Sequence, residues 1–225
     1  MEFKAGFKKR GAKMCGRYVL YSEKDEKAIK AIVDEVNKKY QTSIKKGDIY
    51  PTDLAPVYTM QPNDPGIELK LMQWGYQRDF GKKTLLINAR SETVLEKASF
   101  RDDFLNRRCL IPAIGFYEWN QKKEKFRFVG LDDLIYLGGF YHSSAGGPET
   151  FLIMTKKPVE LVAEIHDRMP VLIPKNHAND FLYSTETALK LMSEDRVALK
   201  REALVGIKQC SFIDELKQGD SSTQK

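Results

Sequence analysis

A few polar side chains sit where apolar runs would bury them, and those are the residues able to do chemistry. Glu118 lies in GFYEW, flanked by Tyr117 and Trp119. Burying a carboxylate is costly unless the charge is paired or used. It therefore reads either as a carboxylate on an exposed or arginine-paired strand face, or as a general acid/base whose pKa is raised by its aromatic surroundings. His166, in AEIHDRMPVLI beside Asp167 and Arg168, is one of three histidines, with His142 and His177. It reads as a structural imidazole or as a proton-transfer group. Asn88 and Arg90, in LINARSET, emerge from the end of an apolar strand, where turns and sites both form. Cys15 taken alone is a small buried hydrophobe. It directly follows Met14, however, and a chain started there and stripped of its methionine would expose both a thiol and a free α-amine on Cys15.

That possibility turns on the first residues, MEFKAGFKKRGAK, which have neither amphipathic period nor core pattern. They read as a basic tail, as an expression scar, or as translated leader ahead of a natural start at Met14. The last fits best, because Lys-Lys-Arg-Gly is encodable by a purine-rich string like a bacterial ribosome-binding site. Residues 1–14 are thus expected to be an extension or tag outside the mature protein. They also carry much of the charge: Lys4, Lys8, Lys9, Arg10 and Lys13 against Glu2 supply +4 of the formal +6, leaving +2 for the rest. Bulk charge therefore says little about partners, although a local cluster could still grip phosphate.

The 225 residues, 42% hydrophobic and 30% charged, suffice for one good core. Nothing resembles a signal peptide or a membrane span. Cys15, Cys109 and Cys210 are odd in number and unpaired in spacing, so no disulfide framework is implied. With the histidines they also lack metal-ligand spacing, and no cofactor or metal is expected. A cytoplasmic protein follows.

The elements that must position these residues can be read in order. GRYVLYS is a short strand entering a helix over 23–40, with Ser22 as N-cap, Asp25 in its first turn and Ile29, Ile32, Val33, Val36 and Tyr40 at helical spacing. IYPTDLAPVYTM, with Pro51 and Pro56, reads as irregular and extended. IELKLMQWGY alternates as a strand, ASFRDDFLNR is helical, and RCLIPAIGFYEW is a buried strand turning into a second. EKFRFVG, LIYLGGFYH and ETFLIMTKKP are further strands; PVELVAEIHD, HANDFLYS and ETALKLMS are short helices. No repeat or linker divides the chain. The expectation is one α+β domain over 15–212, with a curled, largely antiparallel, barrel-like sheet flanked by helices, and a tail over 213–225.

Taken in series, MCGRY, WG (Trp74, Gly75), NAR.ET (Asn88 to Thr93), RC.IPA.GFYEW (Arg108 to Trp119) and IHDRMPV (Ile165 to Val171) resemble the SRAP family of abasic-site crosslinking proteins, in order from Cys15 to about residue 195. The resemblance implies a covalent DNA–protein crosslink at abasic sites in single-stranded DNA, in the DNA-damage (SOS) response, by a monomer that binds no membrane and joins the nucleoid with its DNA. The chemistry is coherent. A 1,2-aminothiol traps the open-chain aldehyde of an abasic sugar as a five-membered thiazolidine, and only an N-terminal cysteine supplies both nucleophiles on one residue. By similarity Glu118 manages protons, His166 acts as acid at the sugar ring oxygen, and Asn88 holds Cys15 and the sugar. Arg17, Arg90 and Arg168 would contact phosphates, and Trp74 would stack on a base. One departure is Asp53 in PTDLAP, where many relatives have Asn; it is either a turn-forming substitute or a negative charge that weakens DNA contacts.

The resemblance also implies related activities. A Schiff base could proceed to strand-incising β-elimination, and a thiol autopeptidase would cleave before Cys15. Two other classes compete. A noncatalytic single-strand binding module would bind abasic and intact DNA equally and give no covalent product. A cysteine peptidase acting in trans would turn over added peptides without a free α-amine.

Overall fold

The computed structural model describes residues 15–20, 27–44, 47–61, 66–79, 83–132, 134–143 and 146–203. Strands are β1 (Tyr18–Val19), β2 (Asp48–Ile49), β3 (Leu54–Met60), β4 (Ile67–Trp74), β5 (Tyr76–Asp79), β6 (Lys83–Leu86), β7 (Asn88–Arg90), β8 (Arg108–Ala113), β9 (Gly115–Trp119), β10 (Lys125–Gly130), β11 (Ile135–His142), β12 (Thr150–Lys156), β13 (Met169–Pro170), β14 (Leu172–Ile173) and β15 (Leu199–Ala203). Helices are α1 (Lys27–Tyr40), α2 (Ala98–Asn106), α3 (Glu160–Ala163), α4 (Ala178–Tyr183) and α5 (Thr185–Ser193).

The architecture is α+β. In the larger sheet β12 pairs with β4, β4 with β3, β3 with β8, β8 with β11, and β11 again with β12, so the sheet closes on itself. Closure leaves these strands no long open edge. Most of these pairings are antiparallel; β12 runs parallel to β4 and to β7. Every residue of β8 and β12 is buried, and α2 and α4 pack against β8. A second sheet, ordered β15-β10-β9-β1-β2, carries the strands that bear Glu118 and follow Cys15. Gly115 permits the close approach of β9 and β10 there: a Cβ would lie 2.2 Å from the Phe128 carbonyl oxygen.

Arg108 ties the helices to the closed sheet. Its guanidinium is buried and donates to the carbonyls of Phe104 and Leu105 at the end of α2, to those of Phe181 and Leu182 in α4, and to Thr185 Oγ1, all at 2.8–3.0 Å. Lys and Arg favour helix C-termini because unpaired carbonyls collect there.

Two sequence expectations change. The Pro51–Pro56 segment is not irregular throughout, because Leu54–Met60 forms the regular strand β3. Pro56 has no N–H to donate, and β8 engages β3 only at Tyr58 and Thr59, so the proline sits where the strand has a neighbour on one side. In α1 the stripe Ile29, Ile32, Val33 and Val36 is buried, while Tyr40 at its end is exposed. The proposed cap Ser22 and Asp25 lie outside the described residues.

Candidate active site

Cys15 reaches the site because β1 pairs with β9 in register Tyr18↔Phe116, and the Tyr117 N–H extends the ladder to the Arg17 carbonyl. Two residues earlier, the Cys15 backbone N–H donates to Glu118 Oε1 at 2.9 Å. Asn88, carried by β7 on β12, donates from Nδ2 to the Cys15 carbonyl at 3.3 Å. His166 follows α3, its backbone N–H bonded to the Val162 carbonyl, with Nδ1 3.9 Å from Glu118 Oε2. The four residues singled out for chemistry therefore converge, although the first and last are 151 residues apart in sequence, at 15 and 166.

Their electrostatics are those of a buried site. Glu118 is completely buried, and burial pushes its carboxyl up to about 8, opposed by the Cys15 N–H and assisted by Asp167. Burial, then the neighbouring Glu118, holds the Cys15 thiol well above its ordinary value. The thiol thus needs a base to become a nucleophile, and the carboxyl beside it is placed to serve. Glu118 Oε2 and His166 Nε2 are buried and make no hydrogen bond within the described protein. A cavity of about 520 Å³ opens here, walled by Gly16, Arg17, Glu118, Trp119 and His166, with Asn120, Gln121 and Lys123 of the β9–β10 turn at its rim. Cys15 has φ +23°, a region a non-glycine residue rarely adopts.

The residues expected to hold DNA are placed less uniformly. Arg17 lines the cavity, its guanidinium 4.3 Å from the Tyr50 ring centre and 5.3 Å from that of Trp119, with Asp48 at 3.5 Å. Arg90 is exposed at the end of β7, beyond Asn88. Arg168 is buried, and its guanidinium is bound bidentately by Glu92 at 2.6 and 2.8 Å and also donates to the Thr155 carbonyl. Its terminal nitrogens are thus committed inside the protein rather than offered to a phosphate. Trp74 also departs from expectation. It is wholly buried, stacked on Phe151 and edge-on to Tyr18, with Nε1 donating to the Ile87 carbonyl. No face is open to a base, and Trp74 is a core residue. Asp53 acts as a turn-former, its carboxylate accepting the Tyr50 N–H.

Sequence reasoning missed Trp119 as a cavity wall, Asp48 as the counter-charge to Arg17, and Glu92 as the partner of Arg168. Trp119 and Glu92 lie inside quoted motifs, which was the available signal; Asp48 carries none, since its role depends on β1–β2 pairing. Among the described residues no cluster of three His, Cys, Asp or Glu side chains is arranged to hold a metal, and no helix is long and apolar enough to cross a membrane.

Residues 14–204 match the sequence profile of the SOS response associated peptidase (SRAP) family. The abasic site processing protein YoqW of Bacillus subtilis (strain 168) is 33% identical over 198 residues, covering 76% of this chain and 85% of the relative. The abasic site processing protein YedK of Escherichia coli (strain K12) is 25% identical over 179 residues, covering 75% and 79%. Among solved structures, a phage-related protein from Bordetella bronchiseptica superposes with a TM-score of 0.66 at 21% identity, covering 85% of this chain and 95% of that one. This last likeness concerns the fold.

Proposed function

This chain belongs to the SRAP family, and from that membership we propose that it processes abasic sites in single-stranded DNA by forming a covalent thiazolidine crosslink through Cys15. One observation carries the reading: the Cys15 backbone nitrogen, the atom that becomes the α-amine when Cys15 is the first residue, lies 2.9 Å from a buried carboxyl.

In the opened sugar the electrophile is the C1′ aldehyde. The α-amine adds to C1′, and water leaves to give a Schiff base. The thiol then adds to the same carbon and closes the ring, so that aldehyde plus aminothiol yields thiazolidine and one water. Glu118 takes the proton released by the attacking nitrogen and returns it to the departing hydroxyl, then receives the thiol proton. A carboxyl poised near neutral pH performs both directions, as general acid–base catalysis requires. A free ammonium at Cys15 would favour the carboxylate, drawing its pKa down from about 8. His166 supplies Nε2 as acid toward the sugar ring oxygen, favouring the open aldehyde. Asn88 holds the Cys15 carbonyl and so fixes both nucleophiles. Arg17 and Arg90 supply positive charge for the backbone, where each phosphate contact adds salt-sensitive affinity.

A second reading, thiol autopeptidase, is favoured by the same nitrogen. In the chain beginning at Met1 that atom is the amide nitrogen of Met14–Cys15. Attack by the Cys15 thiol on the Met14 carbonyl would form a thioester as that nitrogen leaves with a proton from Glu118, which burial keeps protonated at neutral pH. Water would then release the preceding segment and restore the thiol. The unfavourable φ of Cys15 would be released by cleavage. This activity would produce the amine that crosslinking needs.

Intact mass, before and after incubation with an abasic-site oligonucleotide and denaturation, tests the proposal. A chain starting at Cys15 that gains the oligonucleotide's mass supports it. A chain starting at Cys15 that stays uncoupled overturns it in favour of a binding module. A chain retaining Met1 that fails to couple is repeated from a start at Met14, where the same two outcomes decide.

A further inference from the structure

Glu92 belongs to the motif that supplies Asn88 and Arg90, yet the proposed chemistry gives it no task. It sits beyond β7 in a short 3₁₀ turn, Ser91–Thr93, and both carboxylate oxygens bind the Arg168 guanidinium, at 2.6 and 2.8 Å. Arg168 is in turn bonded to the Thr155 carbonyl of β12 at 2.6 Å, so its side chain is pinned from two elements. The backbone of this same residue holds the imidazole of His166. The Arg168 N–H lies 3.1 Å, and its carbonyl oxygen 3.2 Å, from His166 Nδ1. Nδ1 is thereby occupied by the loop, and Nε2 is left without a protein partner in a residue that lines the cavity.

We propose that Glu92 is a positioning residue for His166: by clamping the Arg168 side chain it fixes the residue-168 backbone that engages Nδ1, so that Nε2 faces the substrate. The inference rests on the proposed role of His166 for its catalytic consequence, while the positioning itself is a property of the free protein. A bidentate arginine–carboxylate pair suits the task because its two parallel bonds fix orientation as well as distance. The pair also ties together the segments that follow β7 and α3, beside Asn88, which bonds the Cys15 carbonyl, and His166, which faces Glu118.

The test reads the imidazole nitrogen NMR signals of the chain as expressed, with Glu92→Gln as the first variant because it keeps the side-chain shape and removes the charge. His166 is assigned by comparison with His166→Gln, leaving His142 and His177 as internal controls. The expected result is that Glu92→Gln changes the two His166 resonances and leaves the other histidines alone. On abasic oligonucleotide, the same variant should slow single-turnover coupling by roughly 10- to 100-fold, the range for removing a group that orients an imidazole. On a His166→Ala background it should add no further loss, the non-additivity expected of residues acting through one group. Unchanged His166 resonances in Glu92→Gln overturn the inference. So does tighter binding of intact single-stranded DNA with the coupling rate unaltered, which would mean that Glu92 merely withholds Arg168 from phosphate. If the wild-type chain does not couple at all but its His166 resonances still depend on Glu92, the crosslinking proposal falls and the positioning inference stands.

Discussion

Arg108 and Glu118 are both ionisable groups removed from water, and they are buried in opposite ways. Arg108 finds five acceptors, four of them helix carbonyls, and among the described residues no carboxylate shares its charge. Glu118 has one oxygen on the Cys15 N–H and the other, 3.9 Å from an imidazole, without a hydrogen bond among the described residues. The first arrangement is closed and can only hold the fold. The second is incomplete, and a buried group left short of partners is costly enough to need a reason. The difference separates scaffold from chemistry more sharply than burial does, and it also sorts the tryptophans. Trp74, with its Nε1 satisfied and both faces covered, belongs with Arg108; Trp119, on the cavity wall, belongs with Glu118.

The comparison breaks most readily at Arg108. Arg108→Ala strands several helix-end carbonyls and should cost about 3–5 kcal/mol, the range for disrupting a buried charged network. Denaturant unfolding measures the loss, and crosslinking per folded molecule should be unaltered. A variant that folds normally but fails to couple would move Arg108 into the chemistry. Glu118→Gln should do the reverse: coupling slowed by roughly 100- to 10,000-fold, the contribution of a positioned acid–base group, with no loss of stability near pH 8. Single-turnover rates on an abasic oligonucleotide decide it.

The third expectation sharpens the contrast through pH. Burial raises the Glu118 carboxyl from 4.5 to about 8 in the chain where Cys15 carries a peptide. Between those values the folded protein holds a proton that the unfolded chain has released. The stabilising contribution is therefore complete below the lower value, shrinks as pH rises, and is lost through the upper one. Wild type should lose stability over that window by up to about 1.4 kcal/mol per pH unit; Glu118→Gln should remove this part of the slope. Equal slopes in the two proteins would place Glu118 in contact with water. The smallest effect belongs to Arg90, exposed at the strand end. Arg90→Ala should change stability by about 0.5 kcal/mol or less. It should reduce the salt dependence of single-strand binding by a log–log slope of about 0.7.

Much of this was readable beforehand, and what was not has physical causes. The β8–β9 run and β12 were recognisable because strands buried on both faces are continuously apolar. β15, Leu199–Ala203, was missed because its LKREA sequence suits a charged outer strand and resembles a loop or helix. Asn88, Glu118 and His166 could be named as polar residues in or beside apolar runs, and Cys15 from its place directly after Met14. Their convergence could not be derived from spacing, since it depends on β1 crossing to β9 and β7 lying along β12. That Arg168 and Trp74 have partners inside the protein was not legible for a related reason: a guanidinium or an indole looks the same in sequence whether its partner lies inside the protein or outside. Only the positions of Glu92, Thr155 and Ile87 distinguish the cases.

The most direct test of the central claim compares two chains identical from Cys15 onward, one beginning at Cys15 and one retaining an uncleavable residue before it. Each is incubated with the same abasic oligonucleotide and denatured. The free-amine chain should gain the oligonucleotide's mass, and the blocked chain should remain unmodified, because the ring needs nitrogen and sulfur from one residue. Equal coupling by both chains would contradict the thiazolidine chemistry and leave Cys15 as a simple thiol nucleophile.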